Sequence, residues 1–467
     1  SKYAENNFGS YKSYHVLGSY TDYFGAYWRK QNFGFGHTSI YEDKPGKKIW
    51  IWGLSREGEI WTDLLTDKDL GNKQYVEVQT GMLYNQAVGN KTPFKHSFFE
   101  PGALLKFNEM WFPYLNTGGL EAANEYGALN AFSRGEYLIF SFCPLQNSEE
   151  NLKAKINGRD VYGKELNLKT LETFTDSVKI GKDEKFEILV GNKLKFSSSG
   201  NEEKLLSRPK TPFAKFDWNS IYGKYLNAVE LTRSREYNKA LTAVLEITDT
   251  DPNFLPALVL VSELFYRRAE FSKAADYVKR ALQIDTYDFD ANYWFGIISK
   301  KLGNNYDAKD AFGIAARSMK YRSVSYQNIA EIYFIEGSMD RAEEFADRAI
   351  DYNSNNVESL KLLSIIYRIQ RQANKFDETI KKIEAINPLE HFVRAEKYLF
   401  DKTESARTKL NSLIRCELPH EVYLELALYY YKIKKYDDAL DVLSQSPVNP
   451  IVNLWLAFLN EKRVTKH

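Results

Sequence analysis

Two periodicities divide this chain. Up to about residue 200, apolar and polar residues alternate in short runs, the two-residue repeat of strands, whereas beyond about residue 217 apolar positions recur every three to four residues, as on one face of a helix. In the first region, residues 48–52 place Trp50 and Trp52 on one face and Ile49 and Ile51 on the other. Residues 75–81 send Val76 and Val78 one way and Tyr75, Glu77 and Gln79 the other, so a carboxylate and a carboxamide stand side by side and reach one polar ligand. Glycine and asparagine turns separate these runs, and residues 1 to about 140 are read as β-structure throughout. Alternating runs at 137–142, 154–158 and 186–191 predict a small antiparallel sandwich over about 132–204, followed by a Ser, Gly and charged linker that runs into Pro209 and Pro212.

The helical region repeats itself. Ala240, Ala274, Ala308 and Ala342 follow one another at 34 residues, and Ile247, Ala281, Ala315 and Ala349 keep the same step seven residues further on. This is the tetratricopeptide period, in which two helices cross so closely that only small side chains fit between them. Gly296 falls at a small position and Tyr333 at an aromatic one. Beyond Ala349 the register is expected to slip by a few residues at Phe376, pass through a short irregular pair over 391–416, and recover at Tyr436, for six to seven helical pairs and a basic tail from Glu461 to His467. The expected organisation is three domains, 1–132, 133–212 and 213–467. Such a solenoid offers a groove for a protein or peptide partner, or serves as a rigid spacer.

Composition narrows the chemistry. The 63 basic and 62 acidic residues nearly cancel, so no global field points to nucleic acid or an anionic membrane. No apolar run approaches the length of a membrane span. Two cysteines, Cys143 and Cys416, build neither a disulfide framework nor a zinc site, and no metal or cofactor is expected. A phosphate-binding loop, a His-Glu-x-x-His pair and a nucleophile elbow are all missing from the sequence, which sets aside phosphoryl transfer, zinc hydrolysis and serine hydrolysis.

Residues 75–81, Asn85-Gln86, residues 98–102 (Phe-Phe-Glu-Pro-Gly) and residues 107–112 resemble the last part of an aldose-1-epimerase (galactose mutarotase), with its Glu-x-Gln strand, asparagine turn, Pro-Gly corner and closing aromatic strand. Residues 14–132 resemble more closely a bacterial family of unknown function that joins such a domain to tetratricopeptide repeats, through Gly36-His37, residues 45–48, Trp50, Trp52-Gly53, Trp61, residues 65–67, Trp111 and Gly118-Gly119. The fold so implied is the C-terminal part of a mutarotase-like β-supersandwich, then the small sandwich, then the solenoid. The resemblance makes Glu77 the base that takes the anomeric proton, with Gln79 orienting it. His37 is the candidate acid partner, and Glu109, like Asp63, is a candidate second carboxylate of the kind glycoside hydrolysis requires.

Tyr75, Trp50, Trp52, Trp61, Asn85, His96 and Trp111 complete the expected substrate-binding set. The histidines, arginine and aspartate that mutarotases draw from an N-terminal half have no counterpart here, so that half is expected to be missing or supplied by a partner, or the domain to be a non-catalytic derivative. The expected function is a carbohydrate-active protein of the glycoside hydrolase type, acting on an oligo- or polysaccharide. The alternatives are a sugar 1-epimerase and a non-catalytic glycan-binding or scaffold protein whose repeats recruit a protein. Its expected place is the periplasm or the cell exterior, with the cytoplasm as the alternative.

Overall fold

The structure, a computed structural model, describes residues 12–15, 20–52, 56–65, 75–83, 99–200 and 216–464. The chain divides into two compact units, one of Ser1–His96 with Leu105–Phe216 and one of Asp217–His467 with Ser97–Leu104.

The first unit opens with β1 (Lys12–His15), β2 (Tyr23–Trp28), β3 (Phe33–Ser39) and β4 (Lys48–Ile51), then helix α1 (Arg56–Leu65), β5 (Val76–Gln79) and β6 (Glu109–Leu115). They form two three-stranded antiparallel sheets, ordered β1-β4-β5 and β2-β3-β6. Helix α1 corrects the all-β reading of this region. In β3 the glycines have a specific use: a Cβ on Gly34 would lie 2.1 Å from the Tyr114 ring, and one on Gly36 would lie 2.6 Å from that of Phe112. Both rings of β6 therefore lie flat over bare backbone and are almost wholly buried.

The sandwich follows as β7 (Ala122–Asn124), β8 (Gly127–Arg134), β9 (Tyr137–Pro144), β10 (Ser148–Ile156), β11 (Arg159–Leu168), β12 (Phe174–Lys179), β13 (Phe186–Val190) and β14 (Leu194–Ser197). Its antiparallel sheets are ordered β12-β9-β8-β7 and β11-β10-β13-β14. The alternation within each strand supplies one core: Leu129, Leu138 and Phe140 of the first sheet meet Leu152, Ala154 and Ile188 of the second. The boundary expected at 132/133 falls inside β8, because the sandwich begins with the β7–β8 hairpin ten residues earlier.

The second unit contains α2 (Ile221–Arg233), α3 (Tyr237–Thr250), α4 (Leu255–Arg267), α5 (Phe271–Ile284), α6 (Phe289–Leu302), α7 (Asn305–Ala315), α8 (Arg322–Ile335), α9 (Met339–Tyr352), α10 (Val357–Ile369), α11 (Ala373–Ile386), α12 (His391–Asp401), α13 (Glu404–Ser412), α14 (Pro419–Lys432), α15 (Tyr436–Leu443) and α16 (Pro450–Val464). Among the described residues these make seven pairs and a closing helix. The eight small or apolar residues of the 34-residue pattern are all buried at 1% exposure or less, which is what the close helix crossing requires.

Phe376 and Ile383 stand 34 residues beyond Ala342 and Ala349 and are buried too, at 3% and 0% exposure, so the fifth pair keeps the register instead of slipping. What changes there is side-chain size. The second helices of the pairs start at 237, 271, 305, 339 and 373, an unbroken step of 34, and then at 404 and 436, where the short α12–α13 pair breaks it. The turn inside each of those five pairs holds one left-handed residue, and these share the step: Arg235, Ala269, Gly303, Gly337 and Arg371 have φ between 59° and 86°. Residues 461–464 of the expected basic tail belong to α16.

Candidate functional site

Period-two geometry and antiparallel pairing build the cluster around Glu77. In the β4–β5 ladder Trp50 faces Glu77 and Lys48 faces Gln79, and paired residues share a sheet face. Trp52 and Tyr75 continue that face through a backbone bond from the Trp52 amide to the Tyr75 carbonyl, 3.3 Å. The Trp52 indole donates to Glu77 Oε1 at 2.9 Å, and the Gln79 amide donates to Glu77 Oε2. Both carboxylate oxygens are thus held from the side. Gln79 Oε1 and Thr80 Oγ1 are buried without a hydrogen-bond partner among the described residues.

The rings form a chain, with Trp50 to Trp52 at 5.9 Å, Trp52 to Trp61 at 6.4 Å and Trp61 stacked on Tyr75 at 6.3 Å. Trp61 comes from α1, is 42% exposed and is the link of that chain most open to solvent. Lys48 was not anticipated as a member. Its burial pushes the ammonium below the usual lysine range, while the charge of Glu77 pulls the other way. The signal for it was the same alternation that aligned Trp50 and Trp52.

His37 and Glu109 meet in the other three-stranded sheet. His37 pairs with Trp111 across the β3–β6 ladder, and Glu109 lies two residues along on the same face. His37 Nε2 is 3.1 Å from Glu109 Oε2, and the Lys44 ammonium is 3.6 Å from the same oxygen. The His37 ring lies 4.6 Å from Trp111 and 5.5 Å from Phe24, and its side chain is fully buried with Nδ1 unpartnered among the described residues. Burial pushes the imidazole below its ordinary value of 6.5, more than the nearby Glu109 raises it, and Lys47 and Lys44 add to the lowering. Glu109 opens onto a cleft of about 1120 Å³ bordered by Asp22, Ile40, Lys193 and Phe196.

The expected catalytic trio is therefore distributed over two sheets. His37 is paired with Glu109 rather than serving Glu77, and Trp111 belongs to the histidine cluster. Asp63 lies exposed on α1. Asn85 and His96 lie outside the described residues. Among the described residues no group of three or more His, Cys, Asp or Glu is placed to hold a metal ion, and no helix is long and apolar enough to cross a membrane.

In the helical unit, the first helices of successive pairs line a cavity of about 750 Å³. Tyr225 and Arg233 of α2, Arg267 of α4 and Trp294 of α6 face it, and Tyr237 of α3 and Lys320 border it. Glu263 takes the Arg267 guanidinium at 2.8 Å, and Asp290 takes both Lys320, at 2.8 Å, and the Tyr321 hydroxyl. Arg233 has a looser partner, Glu230 at 3.8 Å, and its side chain is 38% exposed. The sequence announced the repeat, but the residues facing its groove follow no small-residue rule and were not individually foreseen.

Residues 1–114 match the profile of a family described as "Domain of unknown function (DUF5107)". Similar solved structures include PilW, a type IV pilus biogenesis factor, with 17% identity and a TM-score of 0.39 over 43% of this chain and 94% of that one. A tetratricopeptide repeat protein from Parabacteroides merdae ATCC 43184 has 10% identity and a TM-score of 0.40, covering 52% and 99%. YrrB, described as a TPR protein with an unusual peptide-binding site, has 16% identity and a TM-score of 0.34, covering 39% and 93%. The chain thus joins a stretch similar to a domain of unknown function to a helical solenoid whose own 34-residue step is that of tetratricopeptide repeats.

Proposed function

We propose that this protein is an interaction scaffold whose repeats hold a short segment of a partner protein along α2, α4 and α6. The cavity carries the reading: aromatic faces (Tyr225, Tyr237, Trp294) share its lining with cationic heads, Arg233 and Arg267 on helices and Lys320 in the turn before α8. Aromatic and arginine side chains supply most of the energy at protein interfaces, and a preformed helical surface loses little entropy on binding. Arg233, whose partner Glu230 is 3.8 Å away, is available to a ligand carboxylate. Selection of a phage-displayed dodecapeptide library on the full chain is expected to enrich peptides that combine an aromatic with an acidic residue. Arg233→Glu should weaken those peptides about tenfold or more, equivalent to about 1.4 kcal/mol. No enrichment, or affinities untouched by the substitution, would sink the proposal.

A second reading, glycan binding in the first unit, is favoured by the fixed Glu77 carboxylate beside the Trp61–Tyr75 stack, since a sugar presents hydroxyls at its edge and C–H groups on its face. Hydrolysis would need a second carboxylate across the bond, and Glu109 is engaged by His37 and Lys44. Titration calorimetry against an oligosaccharide panel should find a ligand whose binding heat vanishes in Trp61→Ala and Glu77→Gln; a panel with no binder rejects this reading.

A further inference from the structure

The groove of the helical unit already holds a segment of its own chain. Residues 100–103 read Glu-Pro-Gly-Ala and close a β-turn, with the Ala103 amide donating to the Glu100 carbonyl at 2.9 Å and Gly102 at φ 72°. Proline at the second position and a left-handed glycine at the third are what a type II turn needs, so the sequence sets this shape before any contact is made. Phe99, Glu100 and Pro101 line the 750 Å³ cavity together with Tyr293, Tyr321 and Lys320. Glu100 lies 3.8 Å from the Lys320 ammonium, and Asn353 donates its side-chain amide to the Gly102 carbonyl at 2.9 Å.

These contacts fix the turn in place but hold it lightly. The Glu100 side chain is 65% exposed and that of Lys320 is 43% exposed, the regime in which ion pairs contribute little. Phe99 is 68% exposed, so its ring adds little buried apolar area. A turn attached to the same chain needs no strong contacts, because its effective concentration at the groove is of the order of millimolar.

We infer that residues 99–103 are an internal stand-in for the partner, and that the partner offers the same chemistry, an aromatic residue followed by an acidic residue and a Pro-Gly turn. The inference rests on the groove reading proposed above and names its ligand class. A partner turn that seats its aromatic ring more deeply displaces the internal copy, so the free protein is self-occupied.

The test is fluorescence anisotropy of a labelled heptapeptide, Phe-Glu-Pro-Gly-Ala-Leu-Leu, against the full chain. Wild type should bind it weakly. Glu100→Arg with Gly102→Val, which repels Lys320 and forbids the left-handed turn, should bind it about tenfold more tightly because the internal competitor is gone. Adding Lys320→Glu and Asn353→Ala should abolish the gain. Glu100→Arg alone, on an exposed side chain, should give a smaller gain in the same direction, with helical circular dichroism unchanged as the check on folding. Equal affinity in wild type and both unblocked variants overturns self-occupancy while leaving the groove reading standing. If library-selected peptides bind but the heptapeptide binds none of the variants, the stand-in idea is rejected; if no peptide binds any variant, the groove reading falls with it.

Discussion

Phe312→Ala is expected to cost the helical unit about 3–5 kcal/mol, read as a lower urea midpoint in circular dichroism. Phe312 is fully buried on α7, with its ring 6.2 Å from Tyr293 in a T-shaped contact. It also fills the space left by Gly296 on α6, where a Cβ would come within 2.7 Å of the ring. That closeness gives the experiment a second arm. Overpacking in Gly296→Ala alone should cost about 1–3 kcal/mol, offset in part by the roughly 1 kcal/mol that alanine gains in helix propensity. In the double variant the new methyl enters the space the ring vacated, so the combined cost should fall short of the sum. Strict additivity would show that the two positions do not share one packing site.

Arg368→Met should cost a comparable amount, about 3–5 kcal/mol, concentrated in the C-terminal pairs. Arg368 on α10 grips Glu396 on α12 with two bonds, 2.8 and 3.2 Å, and Asp438 on α15 with two more, 2.7 and 3.4 Å, while the Tyr430 hydroxyl on α14 donates to Glu396 at 2.7 Å. The Glu396 side chain has no exposure, so removing the guanidinium leaves a carboxylate with neither water nor a counter-ion. Hydrogen exchange should show lost amide protection across α10, α12 and α14. Removing both buried charges, in Arg368→Met with Glu396→Leu, should recover most of the loss, because the one carboxylate left without its guanidinium, Asp438, is 17% exposed and keeps contact with water. A double variant as unstable as the single one would show that the network contributes through shape rather than charge balance.

Much of the helical unit was legible because close crossings demand small residues at fixed intervals, and alanine advertises itself. The fifth pair hid its register by placing Phe376 and Ile383 where alanine had stood, which a rule based on residue size does not recognise. Alternation likewise placed Glu77 with Gln79 on one strand face and Trp50 with Trp52 on another, and the structure joins the two pairs by hydrogen bonds and ring contacts. Alternation says nothing of which strands become neighbours, however, and so the pairing of His37 with Glu109, 72 residues apart, was not accessible. Glu100-Pro101-Gly102 was legible as a turn, since its chemistry is local. Its place among the helices was not, because that depends on contacts with residues more than 200 positions away.

The left-handed turn positions bear on how this chain tolerates change over generations. Arg235, Ala269 and Arg371 occupy a conformation that costs a side-chain-bearing residue roughly 1–2 kcal/mol, while Gly303 and Gly337 occupy it freely. Of the three, Ala269 is where a change to glycine is expected to act as a second-site suppressor, offsetting a damaging substitution elsewhere in the stack without touching the groove, because Arg235 lines the cavity and Arg371 donates to the Phe400 carbonyl. A lineage carrying such a glycine has wider access to new groove sequences, and so to new partners, than one that has kept the strained residue.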